Sequence, residues 1–218
     1  MTDAARQTAR ALLQIRAVNF RPEDPYKFTS GRLSPVYIDC RKIISFQPQR
    51  DLIVDRMVEM IRRDIGPIDA VAGGETAGIP YAAWVADRMK LPMLYVRKQP
   101  KGFGRGAQIE GELKEGWKVL LVEDLATDGG SKLNFINALR TAGAKVTDVV
   151  VVFHYGIFPK SVESLRELGV KLHGLATWRD VLAESRAGKD FSDAVHAEIE
   201  KFLADPDGWA ALRAKTLA

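Results

Sequence analysis

At 218 residues, with 46% hydrophobic and 28% charged side chains, the chain has the composition of one folded domain rather than a disordered segment. The net charge of +4 is mild and its basic residues are dispersed. That disfavours a nucleic-acid binder and suits an anionic small-molecule substrate. The longest apolar run, Val146 to Phe153, is too short to cross a bilayer, and the single cysteine, Cys40, permits no internal disulfide. These features predict a cytoplasmic protein without a membrane partner, with Cys40 as a packing residue.

Residues 1–20 place Leu12, Leu13 and Val18 at helical spacing, so an amphipathic helix is expected instead of a targeting segment. A hairpin should follow, Lys27–Thr29 against Val36–Asp39, turned by Ser30-Gly31-Arg32. The middle of the chain then alternates strand and helix signals. Strands are expected at Ala70–Ala72, Met93–Val96, Lys118–Val122, Val146–Phe153 and Leu172–Ala176. Helices are expected at Ile79–Met89, Gly130–Thr141 and Ser161–Leu168, the last two closed by Gly143 and Gly169. Val119 to Val122 are apolar on both faces, the pattern of a strand covered by helices on each side. Residues 178–218 read as two helical stretches broken at Asp205-Pro206-Asp207-Gly208, with Trp178 and Trp209 packing. The expected architecture is α/β: an open, mostly parallel twisted sheet flanked by helices. Its core spans about 46–177, with a small hood from 1–45 and 178–218.

The segment VLLVEDLATDGGS, Val119 to Ser131, carries the chemistry. A buried strand delivers two carboxylates, Glu123 and Asp124, and a Thr-Asp-Gly-Gly-Ser turn opens a helix. Free N–H groups at a helix start attract an anion, the glycines admit close backbone approach, and Thr127 and Ser131 add hydroxyl donors. In an open α/β sheet such a site lies at the carboxyl ends of the strands. The acids would face ligand hydroxyls or a bound Mg²⁺. Neither the triphosphate-binding loop nor the dinucleotide fingerprint fits this spacing. An ordinary βα turn with a capped helix is the plain alternative.

This stretch resembles the 5-phosphoribosyl-1-pyrophosphate (PRPP) motif of the type I phosphoribosyltransferases: hydrophobic strand, two acids, two variable residues, Thr, then Gly-Gly-Ser. The resemblance implies that Glu123 and Asp124 lie near the ribose hydroxyls. It implies that Thr127, Asp128, Gly129, Gly130 and Ser131 wrap the 5-phosphate. Three further segments are similar to the orotate-specific members. KFTSGRLSPVYIDCR (Lys27–Arg41) is similar to the hairpin that lines their base pocket. GGETAGIPYA (Gly73–Ala82) is similar to their pyrophosphate loop. YVRKQPKGFGRGAQIEG (Tyr95–Gly111) is similar to their catalytic loop.

By position, the resemblance assigns Glu75, Thr76, Arg97, Lys98 and Lys101 to PRPP, and Thr127, Tyr37, Ile38 and Tyr155 to orotate. Arg97, Lys98, Lys101 and Asp124 would carry catalysis. It implies a homodimer with loop 97–111 shared across the interface. No metal-ligand set belonging to the chain itself is expected; Mg²⁺ would be carried mainly by PRPP, close to Asp124.

Three positions depart from the family pattern. Phe103 stands where a loop His is usual, and Thr29 where Lys is common. After the fourth strand, His154 and Tyr155 replace an Asp-Arg pair whose Arg holds the orotate carboxylate. Arg32, Lys160 or backbone N–H groups are the substitutes on offer. His154 is expected to hydrogen-bond locally, and His173 and His196 to be structural without partners nearby. Two other readings stay open: a phosphoribosyltransferase for a purine or uracil, and a PRPP-sensing regulator.

Overall fold

The computed structural model describes residues 1–28, 31–100, 108–127 and 130–217. Its centre is a six-stranded sheet built from β5 (Ala70–Gly74), β6 (Met93–Val96), β7 (Ile109–Glu110), β8 (Val119–Ala126), β9 (Asp148–His154) and β10 (Lys171–Thr177). The spatial order is β10-β9-β8-β5-β6-β7. All neighbours are parallel except β7, which runs antiparallel to β6.

The alternation of Val and Leu explains how the sheet holds its helices. On β8, Leu120 and Val122 face one apolar layer and Val119 and Leu121 the other; on β9, Val150 and Val152 oppose Val149 and Val151. Side chains alternate faces with period two, so a strand apolar at every position must be covered twice. One layer receives α2 (Gln47–Asp64) and α3 (Gly78–Met89) through Met57, Ile61, Tyr81 and Val85. The other receives α4 (Gly130–Thr141) and α5 (Pro159–Glu167) through Phe135, Ile136, Leu139 and Leu165. The expected α/β sheet is present, and α2 joins it as a helix that the sequence reading did not place.

The ends of the chain depart from expectation in detail. Helix α1 (Asp3–Gln14) starts at Thr2, whose hydroxyl accepts the Ala5 N–H at 3.1 Å. Val18, assigned above to the helical stripe, lies in β1 (Val18–Phe20), paired with β4 (Val36–Ile38). The hairpin is therefore not Lys27–Thr29 against Val36–Asp39. Lys27 in β2 (Tyr26–Lys27) faces Leu33 in β3 (Leu33–Ser34). Gly31, at a positive φ that favours glycine, lies in the turn, and its N–H donates to the Phe28 carbonyl at 2.8 Å. Pro35 follows directly, and the chain leaves for a different partner strand.

Three helices, not two, close the chain: α6 (Trp178–Gly188), α7 (Asp193–Ala204) and α8 (Pro206–Leu217). The expected break falls at Asp205, where α7 ends, and Pro206 opens α8, where its missing N–H costs nothing; the division between α6 and α7 was not expected. Trp178 is fully buried among Phe20, Phe153 and Tyr155. Both histidines expected to lack partners have one. His173 Nε2 lies 2.8 Å from Asp148, and His196 Nε2 lies 3.0 Å from the Ser185 hydroxyl. Among the described residues, no helix is long and apolar enough to cross a membrane.

Candidate active site

The strand order reverses direction between β5 and β8, because β6 lies on one side of β5 and β8 to β10 on the other. The crevice outside the carboxyl ends of these two strands is the natural ligand position of an open sheet. Two of the motifs converge there: Glu75 and Thr76 follow β5, Glu123 and Asp124 lie in the last half of β8, and Thr127 follows it.

Glu123 is 7% exposed, and its carboxylate is pressed against glycines. A Cβ on Gly74 would sit 2.1 Å from Glu123 Oε1, and one on Gly78 would sit 2.4 Å from it. The close approach of a carboxylate to the β5 loop thus depends on the missing side chains. Oε1 has no hydrogen-bond partner among the described residues. Burial pushes the Glu123 carboxyl up to about 7, further raised by Asp124 and opposed by Lys132, the Gly74 N–H and Lys98. Asp124 is raised by burial and held back by Lys132, by the N–H groups of Asp124 and Leu125, and by Arg41. An acid pair of this kind accepts hydroxyl donors or shares a divalent cation. Among the described residues, no group of three or more His, Cys, Asp or Glu side chains could hold a metal ion. The two carboxylates are oxygen donors of the kind Mg²⁺ accepts.

The root of the cationic segment is tied to the same crevice. Glu75 Oε2 accepts the Lys98 N–H at 2.8 Å, the Glu75 N–H donates to Val96 O at 2.9 Å, and Asn134 Nδ2 donates to Lys98 O at 3.0 Å. Arg97 and Gln108 exchange bonds, Arg97 N–H to Gln108 O and Gln108 Nε2 to Arg97 O, both at 2.8 Å. The two ends of the loop are therefore pinned together. Lys101, Phe103, Arg105, Thr29, Asp128, Gly129 and the Ser131 side chain lie outside the described residues. Gly130 and Ser131 open α4.

The hairpin segment also reaches the acids. Arg41 acts on Asp124, and Asp124 acts on Cys40, whose buried thiol is held well above its usual range. Cys40 is packing, anchored by a 2.7 Å bond from the Tyr81 hydroxyl to its carbonyl. Ile38 is buried, and Tyr37, half-buried, receives an Arg41 Nη2 bond at 3.2 Å. Tyr155 is 1% exposed and packs edge-on to Phe153 and Trp178 and stacked with Phe158. Burial raises its hydroxyl above the usual tyrosine range. It is a wall member under the hairpin. The Arg32 guanidinium lies 4.6 Å over the Phe158 ring and pairs with Asp207 at 2.8 Å. Burial, and then Lys132, pushes the His154 imidazole below its ordinary range, and its Nε2 has no partner among the described residues.

Sequence reasoning missed Lys132, Asn134 and Gln108. The signal for Lys132 was legible: a lysine in the first turn of a helix opposes the helix dipole, so it needs a partner elsewhere. Its Nζ donates to Leu125 O at 2.6 Å.

Comparison with known proteins agrees with this geometry. The phosphoribosyl transferase domain family matches residues 42–164. An orotate phosphoribosyltransferase of Cereibacter sphaeroides is 55% identical over 209 residues, 95% of this chain and 90% of that one. The crystal structure of orotate phosphoribosyltransferase from Aeropyrum pernix superposes with a TM-score of 0.71 at 31% identity, covering 83% of this chain and 99% of that one. Leishmania donovani UMP synthase gives a TM-score of 0.79 at 26% identity over 92% of this chain, which spans only 42% of that longer protein. With the crevice at the strand reversal and the acid pair in it, these similarities lead to one conclusion: the chain belongs to the orotate phosphoribosyltransferase family.

Proposed function

We propose that the protein transfers the 5-phosphoribosyl group of PRPP to orotate, giving orotidine 5'-monophosphate and pyrophosphate in pyrimidine biosynthesis. The observation that carries this reading is the convergence of the β5 loop, the acid pair and the root of the cationic segment at one crevice, joined by the Glu75–Lys98 bond.

In the reaction the C1–oxygen bond to pyrophosphate breaks with its electrons going to the leaving group. The orotate ring nitrogen forms the new bond to C1 and loses its proton. Glu123 and Asp124 receive the ribose hydroxyls, and the turn from Thr127 to Ser131 grips the 5-phosphate. Glu75 and Thr76 face the pyrophosphate side. Arg97, Lys98 and Lys101 stabilise the charge that develops on the leaving group. Asp124 is the side chain that would lie closest to a Mg²⁺ carried by PRPP, which would supply charge neutralisation on the pyrophosphate. Tyr37, Ile38, Thr127 and Tyr155 shape the base pocket, and Arg32 is the cation at hand for the orotate carboxylate. No covalent enzyme intermediate is needed. The active unit is a homodimer with loop 97–111 reaching the partner's site, in the cytoplasm.

The test follows loss of orotate absorbance with PRPP and Mg²⁺, with guanine, adenine and uracil in parallel. Orotate-dependent turnover is expected. The burial of Tyr155 where an Arg is usual in the family gives the parallel arms their point, and turnover with a purine or uracil alone would sink the orotate reading.

A further inference from the structure

A lysine that is 3% exposed must be compensated, because an ammonium out of water is among the least tolerated of buried groups. Lys132 stands in the first turn of α4, where the helix dipole works against it. One of its three donors is used on Leu125 O, at 2.6 Å, in the end of β8 that carries Glu123 and Asp124. Its charge acts on three groups around it: the Glu123 and Asp124 carboxylates of β8 and the His154 imidazole of β9. A methionine would fill the same space without desolvating a charge. Retaining the ammonium at the end of the strand that carries the acids fits a role for its charge toward them.

We propose that Lys132 is a positioning residue for ribosyl transfer. Its buried ammonium holds the Glu123–Asp124 pair in the arrangement that receives the ribose hydroxyls of PRPP. The inference rests on the PRPP reading of the site. Lys132 reaches the end of β8 through Leu125 O and acts on the two carboxylates by its charge. Without the ammonium the two buried carboxyl groups lose the charge that offsets their mutual repulsion, and one turns away or holds its proton to still higher pH.

The test uses Lys132→Met, Lys132→Gln and Lys132→Arg in the full-length protein. It combines steady-state kinetics with PRPP and orotate, calorimetric titration of Mg²⁺·PRPP without orotate, and thermal melts. Gln keeps a donor for Leu125 O but loses the charge. Met and Gln are expected to weaken PRPP, in KM and Kd, by at least about 10-fold while orotate KM moves less than about 3-fold; Arg recovers most of the loss. Adding Lys132→Met to Glu123→Gln should cost clearly less than it does alone, as coupled neighbours do. A Gln variant equal to wild type would reduce Lys132 to a tie for Leu125 O and overturn the proposal, as would an unchanged Kd in Met or strict additivity with Glu123→Gln. If Met does not fold, Gln and Arg decide. A wild-type protein that binds Mg²⁺·PRPP but does not consume orotate defeats the orotate reading alone, and the titrations still judge Lys132.

Discussion

The Glu75 carboxylate accepts the backbone N–H of Lys98 at 2.8 Å, making the loop after β5 and the start of the cationic segment one hydrogen-bonded unit. A bond to a charged acceptor contributes about 1.5–3 kcal/mol, and tenfold in rate corresponds to about 1.4 kcal/mol. Glu75→Ala is therefore expected to lower kcat/KM for PRPP by about 10- to 100-fold, whereas Glu75→Gln, which keeps an acceptor, stays within about 5-fold. Equal losses in the two variants would remove the Lys98 bond from the explanation and leave the charge of Glu75.

Gly78 tests the close approach to Glu123. In a helix, Gly→Ala ordinarily stabilises by up to about 1 kcal/mol. Here a Cβ would lie 2.4 Å from Glu123 Oε1 and 2.7 Å from Val122 O, and the second of these is backbone that cannot step aside. The clash outweighs the propensity gain, so Gly78→Ala should destabilise by about 1–3 kcal/mol and weaken PRPP binding. A raised melting temperature would show that the strand and helix can separate freely.

Glu123 sets a pH dependence of stability. Its carboxyl is raised to about 7 from an ordinary 4.5, so the native protein holds a proton that the unfolded chain releases first. Stability then falls as pH rises from about 4.5 to about 7 and levels off above, by at most roughly 3 kcal/mol. In melts across this range, Glu123→Gln should remove that decline. A wild-type profile parallel to that of Glu123→Gln would rule out the raised carboxyl.

Lys101→Ala addresses the catalytic role proposed for the basic segment. If Lys101 meets the leaving pyrophosphate only as charge develops, kcat should drop by about 100-fold or more with PRPP Kd within about 3-fold. Equal losses in both would make it a binding residue.

Much of the fold was readable along the chain. The doubly apolar β8 and β9 announced a sheet covered twice, and the Gly and Pro positions bounded several helices, because these signals depend on neighbours within a few residues. The terminal segments were harder. Whether Val36–Ile38 pairs with Lys27 or with Val18–Phe20 depends on which strand lies alongside, and both partners fit the alternation. The break at Asp205-Pro206 was legible, whereas the one at residues 189–192, which parts α6 from α7, carries no proline and was missed.

The site divides along the same line. The acid pair, the Thr-Asp-Gly-Gly-Ser turn and the run of basic residues were legible in the sequence alone, since each is a contiguous run whose chemistry is local. Only the tertiary structure decided what those runs do to one another. Gly74 and Gly78 admit the Glu123 carboxylate, Glu75 holds the Lys98 backbone, Tyr155 is sealed into an aromatic wall, and Lys132 turns under β8. Burial and distance between residues far apart in sequence fix those relationships, and they turn ordinary carboxylates and a lysine into a coupled buried set.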